Sequence, residues 1–261
     1  MSIPVEDIEV PERVRVLARG AELTPVWVNE LGGTTFRTDD GRYLKYGPRN
    51  AETSFAGEAE RLRWAARYTA VPRVLEAGGD DTHEWIVTAA LPGLSAVDPR
   101  WIPVPPAPPL AAGASSGASG GGGLAATAVR AVGEGLRALH DALPVDDCPF
   151  DWGVPGRIAN AQGRGIRVPD EFREAPPIER LVVCHGDACC PNTLIGDDGR
   201  WSGHVDLGAL GVADRWADIA VASMSTAWNY GEGWEDALIE AYGIEPDRER
   251  LSYYRELWNA T

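Results

Sequence analysis

Short apolar runs separated by turn residues fill the first third of the chain. Some alternate apolar and polar side chains and others are apolar throughout, as half-buried and buried strands are. They fall at residues 26–30, 36–38, 42–46, 71–75 and 85–88. Glycine and aspartate mark the turns, at residues 32–33, 39–41 and 78–81. The pattern predicts a small sheet-rich unit, preceded by a short amphipathic helix at residues 11–18.

Helical periodicity replaces this pattern in most of the remaining chain. One helix is predicted directly after Thr53 or Ser54, either of which can cap its first turn. A longer helix is predicted at residues 124–143, where apolar side chains recur every three or four positions until Pro144. Residues 148–180 are rich in glycine and proline and are predicted to be irregular. Three more helices are predicted, at residues 215–228, 233–242 and 246–258.

A low-complexity segment at residues 99–123 interrupts the helical part. Its first half is rich in proline, and its second half consists mainly of alanine, glycine and serine. Such a segment lacks the side chains to bury a core of its own, so we predict a flexible surface insertion. The predicted organisation is an N-terminal unit of residues 1–91 and a larger unit of residues 92–261.

The chain is strongly acidic. Its 261 residues include 39 acidic and 24 basic residues, for a net charge of −15. A basic nucleic-acid-binding surface is therefore not expected. An acidic surface attracts polycationic small molecules by long-range steering, which makes a polycation the predicted partner. Acidity that serves only solubility explains the same composition, so charge alone leaves both interpretations open.

Cysteine spacing and hydropathy indicate the expected redox state of the thiols and the expected location of the protein. Cys148, Cys184, Cys189 and Cys190 lack the paired spacing of a zinc site, so reduced thiols and a cytoplasmic location are expected. The acidic start of the chain lacks the apolar segment of a signal peptide. No apolar run approaches the roughly 18 residues of a membrane span. We expect no membrane partner, and a monomer or weak dimer.

The stretch at residues 181–218 carries the candidate chemistry. It begins with an apolar strand at residues 181–184, followed by a polar loop that contains Asp187 and Asn192. A hairpin is predicted next, because two short strands flank a glycine- and aspartate-rich turn. The hairpin starts after Asn192 and ends before Asp206. Paired strands lie about 5 Å apart, so the hairpin brings these two residues side by side, with Asp187 at the same mouth.

Two carboxylates and a carboxamide at one loop suit phosphoryl transfer. Mg²⁺ prefers oxygen ligands, commonly one or two carboxylates together with substrate phosphates. Asn192 and Asp206 are the predicted metal ligands, and Asp187 is the predicted acceptor of the proton of the attacking hydroxyl. The protein-kinase catalytic loop has the same five-residue step from aspartate to asparagine, followed downstream by D-F-G. Here Asp206 opens the sequence D-L-G.

These motifs as a set identify a family. His185-Gly186-Asp187, then Asn192, then V-D-L-G and A-D-R-W-A-D-I-A resemble the aminoglycoside phosphotransferases of the 3′ and 3″ types. The resemblance runs from about residue 21 to the end of the chain. It implies an α+β, protein-kinase-like fold of two lobes, a small β-rich N-terminal lobe and a larger, mostly helical C-terminal lobe. It also implies that the protein binds ATP together with Mg²⁺, and GTP remains open as an alternative nucleotide.

The nucleotide side of the predicted site lies in the N-terminal unit. Lys45 stands mid-strand among apolar neighbours, where an unpaired ammonium is costly. In protein kinases such a lysine binds the ATP phosphates and pairs with a glutamate of the following helix. Glu58 is the candidate for that glutamate, because it lies on the inward face of the predicted helix. The turn before Lys45 suggests Gly33 and Thr34 as further phosphate contacts. In the resembled family the connector, here at Ala90, supplies backbone groups to the adenine.

The acceptor side matches the family less well. Positions that carry carboxylates in relatives here hold aromatic and amide side chains, and residues 148–180 are shorter than in many 3′-type members. Nearby, Glu232, Glu235 and Asp236 are candidates to replace those acids. Asp206-Leu207-Gly208 is also followed by Ala209 where many relatives carry arginine. The predicted acceptor set is Trp228, Asn229, Glu232, Asn259 and Thr261.

Three functions remain open from the sequence. The first is transfer of the ATP γ-phosphoryl group to an aminoglycoside hydroxyl, which confers resistance. The second keeps this chemistry but acts on a macrolide, a sugar or a metabolite. The third is a nucleotide-binding pseudokinase that serves as a scaffold.

Overall fold

The computed structural model describes residues 8–29, 31–51, 54–102 and 121–261. Most of the insertion predicted at residues 99–123 lies outside these residues, as does the alternative helix cap Thr53. Within the described residues the chain forms ten strands and seven α-helices. No described helix combines the length and the apolar character that crossing a membrane requires.

The N-terminal lobe is built on one antiparallel sheet of five strands. The strands are β1 (Leu23–Val28), β2 (Thr34–Thr38), β3 (Arg42–Pro48), β4 (Val74–Gly79) and β5 (His83–Ala89). Their spatial order is β1-β2-β3-β5-β4. Helix α1 (Glu12–Ala18) packs Val14 and Leu17 against Phe36 and Leu44 of this sheet. The predicted sheet-rich unit and its leading helix are therefore confirmed.

Strand β4 lies further along the chain than predicted. It covers residues 74–79, so Gly78 and Gly79 belong to the strand and not to the turn. The indole of Trp85 lies where a side chain at Gly78 would have to be, which explains a glycine inside this strand. The turn is formed instead by Asp80, whose Oδ1 accepts hydrogen bonds from the backbone N–H groups of Thr82 and His83, each at 2.9 Å.

Helix α2 (Phe55–Ala65) joins the two lobes. It begins as predicted, with Ser54 Oγ accepting a hydrogen bond from Gly57 N at 3.1 Å. From its far side Arg61 Nε donates to the carbonyl of Leu210 at 2.9 Å, and Trp64 Nε1 donates to the carbonyl of Asp147 at 3.2 Å. These bonds hold α2 to the C-terminal lobe, so the helix has a fixed position relative to both lobes.

The C-terminal lobe is mostly helical, as the resemblance implies. Its helices are α3 (Gly121–Ala142), α4 (Val154–Gly163), α5 (Trp216–Tyr230), α6 (Glu235–Tyr242) and α7 (Arg248–Ala260). The short strand pairs are β6 (Leu94–Ser95) with β8 (Thr193–Ile195), β8 with β9 (Trp201–His204), and β7 (Leu181–Cys184) with β10 (Gly211–Asp214). The long helix α3 contacts α5, α6 and strands β7 to β9, and is the centre of the lobe's core.

One prediction about this lobe is wrong. Residues 148–180 are not irregular throughout, because α4 and a short 3₁₀ turn (Asp170–Arg173) lie there. Gly153 and Pro155 stand at the helix start, where both residue types are tolerated, and Ile158 and Ala161 bury one face. The strand β10 was also not predicted, and the helix expected from residue 215 begins at Trp216. The lobe boundary after residue 91 falls between β5 and β6 and stays a prediction.

Candidate active site

The predicted hairpin forms and brings two candidate ligands together. Strands β8 and β9 pair in antiparallel fashion, and the N–H of Val205 donates to the carbonyl of Asn192 at 3.0 Å. Asn192 and Asp206 therefore leave the hairpin side by side at its open end. This geometry follows from the local sequence, since two three- or four-residue strands and one turn suffice to define it.

A buried carboxylate holds the catalytic loop from behind. Asp218, in the first turn of α5, accepts hydrogen bonds from the N–H groups of His185 at 2.5 Å and Gly186 at 3.0 Å. His140 of α3 lies 3.0 Å from the same carboxylate. Burial opposes ionisation of Asp218, but the hydrogen bond and charge of His140 outweigh it and hold the pKa of Asp218 below its usual value. Asp218 is thus a positioning residue.

Two backbone positions in the site have unusual conformations. Gly186 has φ +84°, and a Cβ there would overlap the carbonyl of Ala209, so the catalytic loop and the segment after Asp206 approach each other closely. Asp206 itself has φ 64° without being glycine. A non-glycine residue in the left-handed region costs about 1 kcal/mol or more and is frequent at functional sites. In this backbone conformation the Asp206 side chain lies 2.8 Å from Lys45 Nζ.

Asp187 is oriented by Asn192. The side-chain amide of Asn192 donates to Asp187 Oδ2 at 3.1 Å and to the Asp187 carbonyl at 2.9 Å. Asp187 Oδ1 is buried and has no protein hydrogen-bond partner among the described residues. Burial, reinforced by the nearby charge of Asp206, raises the pKa of Asp187 above its usual range. A carboxylate held on one oxygen and free on the other suits a proton acceptor.

Lys45 links both lobes through its ammonium group. Its Nζ lies 2.8 Å from Glu58 Oε1 and 2.8 Å from Asp206 Oδ1. Burial alone would lower the pKa of Lys45, but the two carboxylates raise it above its usual value, so the side chain stays charged. Lys45 in turn holds the pKa of Asp206 below its usual value. The sequence prediction of a Lys45–Glu58 pair agrees with this geometry.

Two oxygen atoms at the mouth of the hairpin fit a Mg²⁺ site. They are the amide oxygen of Asn192 and Asp206 Oδ2, and neither accepts a hydrogen bond from a described protein donor. Asp206 is exposed to the cleft, with half of its side chain accessible. Oxygen donors of this kind, open on one side for substrate phosphates, are what Mg²⁺ prefers.

Two of the other predicted nucleotide contacts, Gly33 and Ala90, donate their backbone N–H groups to acceptors within the protein. Gly33 N donates to Asn29 Oδ1 at 2.7 Å, and Ala90 N donates to the carbonyl of Gly41 at 2.9 Å. Thr34 lies at the start of β2, opposite Tyr46 and one residue from the strand position that pairs with Lys45. All three lie on the strands and turns around Lys45, and their binding roles stay predictions.

The predicted acceptor residues differ in whether their side chains are exposed or already hydrogen-bonded within the protein. Trp228 is 59% exposed, and Asn259 is exposed on the last turn of α7. Asn229 donates through Nδ2 to the carbonyl of Ser225 at 2.7 Å, and the hydroxyl of Thr261 accepts from Arg157 Nε at 3.0 Å. Glu232 is exposed, and forms no ion pair with a described residue.

The two other candidate acids are already paired. Glu235 forms ion pairs with Arg248 and Arg255, and Asp236 lies 2.5 Å from Arg248. Both acids are therefore neutralised by α7, the next helix along the chain. Of the three acids considered from the sequence, Glu232 is the one whose charge remains available to a cationic acceptor.

Two supporting residues were not found from the sequence. Arg61 places α2, and hence Glu58, by its bond to the Leu210 carbonyl. Ser225 Oγ accepts from the N–H of Cys190 at 2.8 Å and so holds the turn that carries Asn192. The sequence also carries a compositional signal for Lys45. Lys45 is the only lysine among the 24 basic residues of the chain, all others being arginine.

A second polar cluster lies behind the loop and is structural. Donor atoms of His140, Cys184 and Asp218 lie within 4.8 Å of one another, and all three residues are buried. Both oxygens of Asp218 and both ring nitrogens of His140 already take part in hydrogen bonds. Burial raises the pKa of the Cys184 thiol and keeps it protonated. The cluster therefore supports the loop and offers no free ligand set for a metal.

Comparison with known proteins places the chain in a family. The sequence profile of the phosphotransferase enzyme family matches residues 14–254. An aminoglycoside 3′-phosphotransferase of Streptomyces fradiae is 36% identical over 247 residues, covering 82% of this chain and 84% of that protein. A streptomycin 3″-kinase of Streptomyces griseus is 32% identical over 275 residues, covering 91% of this chain and 92% of that protein.

A solved structure agrees with this placement. The aminoglycoside phosphotransferase APH(3″)-Id from Streptomyces rimosus, in complex with ADP and streptomycin, superimposes with a TM-score of 0.65 at 27% identity. The superposition covers 93% of this chain and 94% of that one. The resemblance inferred from the motifs and the protein-kinase-like fold are both confirmed. The chain belongs to the aminoglycoside phosphotransferases of the phosphotransferase enzyme family.

Proposed function

We propose that this protein transfers the γ-phosphoryl group of ATP, bound with Mg²⁺, to a hydroxyl group of an aminoglycoside and so confers resistance to it. The observation that carries the proposal is the convergence of Lys45, Asp187, Asn192 and Asp206 between the lobes. Lys45 is 161 residues from Asp206 in the sequence, and its position beside the other three side chains supports the arrangement that phosphoryl transfer requires. The relatives named for aminoglycoside phosphorylation support the acceptor class.

Each side chain has a distinct task in the proposed mechanism. Lys45, held by Glu58, binds the nucleotide phosphates and neutralises their charge. Asn192 and Asp206 hold Mg²⁺, which when bound neutralises charge on the phosphates and orients them. Asp187 accepts the proton of the acceptor hydroxyl as the hydroxyl oxygen attacks the γ-phosphorus, while the bond from that phosphorus to the β,γ-bridging oxygen breaks and ADP leaves with the bond's electron pair. Because little covalent chemistry is asked of the protein, positioning and charge neutralisation supply most of the catalysis.

The acceptor is proposed to bind at the ends of α5 and α7. Glu232 supplies an unpaired carboxylate to an amino group of the drug, and exposed Trp228 supplies a flat face beside it. The net charge of −15 favours approach of a polycation. Because ATP is the phosphoryl donor, we place the activity in the cytoplasm, where ATP is supplied.

A second candidate keeps the reaction and changes the acceptor. It is favoured by the small number of free acids at the acceptor side, because Glu235 and Asp236 are held by arginines of α7. An acceptor with fewer amino groups, such as a macrolide or a sugar, would need fewer carboxylates. The nucleotide half of the site is the same in both cases.

One experiment separates these proposals. The purified protein is incubated with Mg²⁺ and ATP, or GTP, against a panel of aminoglycosides, macrolides and sugars, and products are identified by mass spectrometry. A phosphorylated aminoglycoside in the presence of Mg²⁺ and none in its absence is the expected result. Phosphorylation of another class alone would favour the second candidate, and nucleotide binding without any transfer would indicate a scaffold.

A further inference from the structure

A cavity lies on the C-terminal lobe away from the proposed catalytic residues. Its volume is about 230 Å³, and it is enclosed by the start of α4, the loop at residues 175–178, the β7–β10 pair and α7. Most of its walls are apolar, and include Trp152, Val154, Ile178, Leu181, Tyr254 and Leu257. No residue proposed above for nucleotide, metal or acceptor binding lines it.

The cavity is large enough for a ring and is open to solvent. An engineered apolar cavity of about 150 Å³ is known to bind benzene, so this one accommodates a substituted ring. Ile178 and Leu181 line it and are themselves 62% and 45% exposed. Their exposure provides a path of entry.

A buried arginine with no carboxylate in ion-pair contact lines the same cavity. Arg157 is only 3% exposed, and its Nη1 is buried without a protein acceptor among the described residues. Its Nε donates to the Thr261 hydroxyl, and its guanidinium lies 5.5 Å and 5.2 Å from the ring centroids of Trp152 and Trp258. It forms no ion pair with a described carboxylate. Burying a charge is costly unless it is paired, so this position favours an anion.

The acids that line the cavity do not supply that anion. Asp214 accepts hydrogen bonds from the N–H groups of Glu179 at 2.7 Å and Trp216 at 3.0 Å. Asp151 accepts from the N–H of Gly153 at 2.9 Å. Their charges disfavour a dianion such as phosphate, while a single guanidinium fork matches one planar carboxylate.

From these observations we infer that the cavity is a binding site for a small molecule that carries one carboxylate on an apolar, ring-sized body, with Arg157 as its anchor. Ala217, which also lines the cavity, directly precedes Asp218, so the site adjoins the support of the catalytic loop and is separate from the nucleotide cleft. This inference does not depend on which acceptor is phosphorylated.

Benzoate and its neutral analogue benzyl alcohol test the inference. Binding to the purified full-length protein is measured by calorimetry at constant ionic strength, with and without saturating Mg²⁺ and ADP. We expect saturable benzoate binding that ADP leaves unchanged, and benzyl alcohol binding at least about tenfold weaker, because it lacks the charge-assisted bonds. Arg157→Gln should weaken benzoate binding by a similar factor.

Two further variants complete the design. Ile178→Trp fills the mouth and leaves Arg157 in place, so it should also weaken benzoate binding, and it decides the matter if Arg157→Gln does not fold. Arg167→Gln removes an exposed arginine beyond α4 that does not line the cavity, and should leave binding unchanged. Equal affinity for benzyl alcohol, unaltered binding in Ile178→Trp, or displacement of benzoate by ADP would overturn the inference.

Discussion

Lys45 Nζ lies 2.8 Å from Asp206 Oδ1, although 161 residues separate the two in the sequence. The same ammonium lies 2.8 Å from Glu58 Oε1. One charged group thus connects β3 of the N-terminal lobe, helix α2 and the loop after β9 of the C-terminal lobe. Triphosphate oxygens and Mg²⁺ entering this groove would meet a cation and a carboxylate that are already in place, which reduces the reorganisation needed for catalysis.

Because Lys45 is the only lysine, its environment is measurable by chemical labelling. The raised pKa keeps its amine protonated and slow to react with an acylating reagent. We expect Mg²⁺ with ATP to slow Lys45 acylation at least about fivefold further by covering it. Glu58→Gln removes one carboxylate, lowers the pKa of Lys45 and should speed acylation of the free protein. Peptide mass spectrometry measures both rates, and an unprotected Lys45 would remove it from the proposed nucleotide site.

Asp218 is expected to support the catalytic loop mechanically. Asp218→Asn removes the charge that accepts two backbone N–H groups and faces His140, and should cost about 3 kcal/mol of unfolding free energy. Urea denaturation measures this loss. The exposed Asp146→Asn serves as control and should change stability by less than about 0.5 kcal/mol. A stable Asp218→Asn variant with normal turnover would show that the loop holds itself in place.

The raised pKa of Asp187 predicts a pH dependence of activity. The group accepts a proton only when ionised, so kcat/KM should fall on the acid side around a pKa above the usual aspartate value of about 3.9. Because the folded pKa is raised, Asp187 favours folding below its unfolded pKa, and that contribution is lost as pH rises through the folded pKa. Asp187→Asn should therefore be at least as stable as the wild type at pH 7. A less stable variant at that pH would contradict the assigned direction of the shift.

Glu232 is expected to bind the cationic acceptor. Glu232→Gln should raise KM for an aminoglycoside about two- to fivefold, the size of an exposed ion pair, and leave KM for ATP unchanged. The difference should shrink in high salt, because exposed charges are screened. Glu240→Gln, an exposed acid of α6, is the matched control. Equal kinetics of the two variants would place the acceptor elsewhere.

The catalytic half of the site could be predicted because its geometry is local. The hairpin that joins Asn192 to Asp206 needs only the thirteen or so residues between them, and its turn chemistry is visible in the sequence. Lys45 was found by its position in an apolar strand, and Glu58 by its position on the next helix. The family motif then supplied the relation between these two halves, which no local pattern contains.

The acceptor half could not be predicted in the same way because distant contacts decide it. Whether Glu232, Glu235 or Asp236 stays free depends on Arg248 and Arg255, which arrive from a later helix. Asn229 is an exception, because its amide bonds to the Ser225 carbonyl one turn earlier on the same helix α5. Tertiary packing, and not the spacing of residue types, determines which of these groups face a ligand.

The secondary-structure errors have a similar cause. Strand β10 is four residues long and begins with glycine, so its own sequence gives little signal. It forms because β7 pairs with it on one side and the backbone at Phe150 and Trp152 bonds to Val212 on the other. The glycines and proline around helix α4 are typical of irregular backbone, but Gly153 and Pro155 lie at its start, where both residue types are compatible with a helix.

Phosphoryl transfer by Asp187→Asn, measured as phosphorylated aminoglycoside formed per enzyme with Mg²⁺ and ATP, tests the central claim most directly. Replacing the carboxylate by an amide keeps the bond network with Asn192 nearly isosteric but removes the proton acceptor. The account predicts a loss of about a thousandfold in kcat, within the range of general-base catalysis, in a protein that remains folded. Asp197→Asn, in the exposed hairpin turn, should retain full activity. A folded Asp187→Asn enzyme that turns over within tenfold of the wild type would contradict the account.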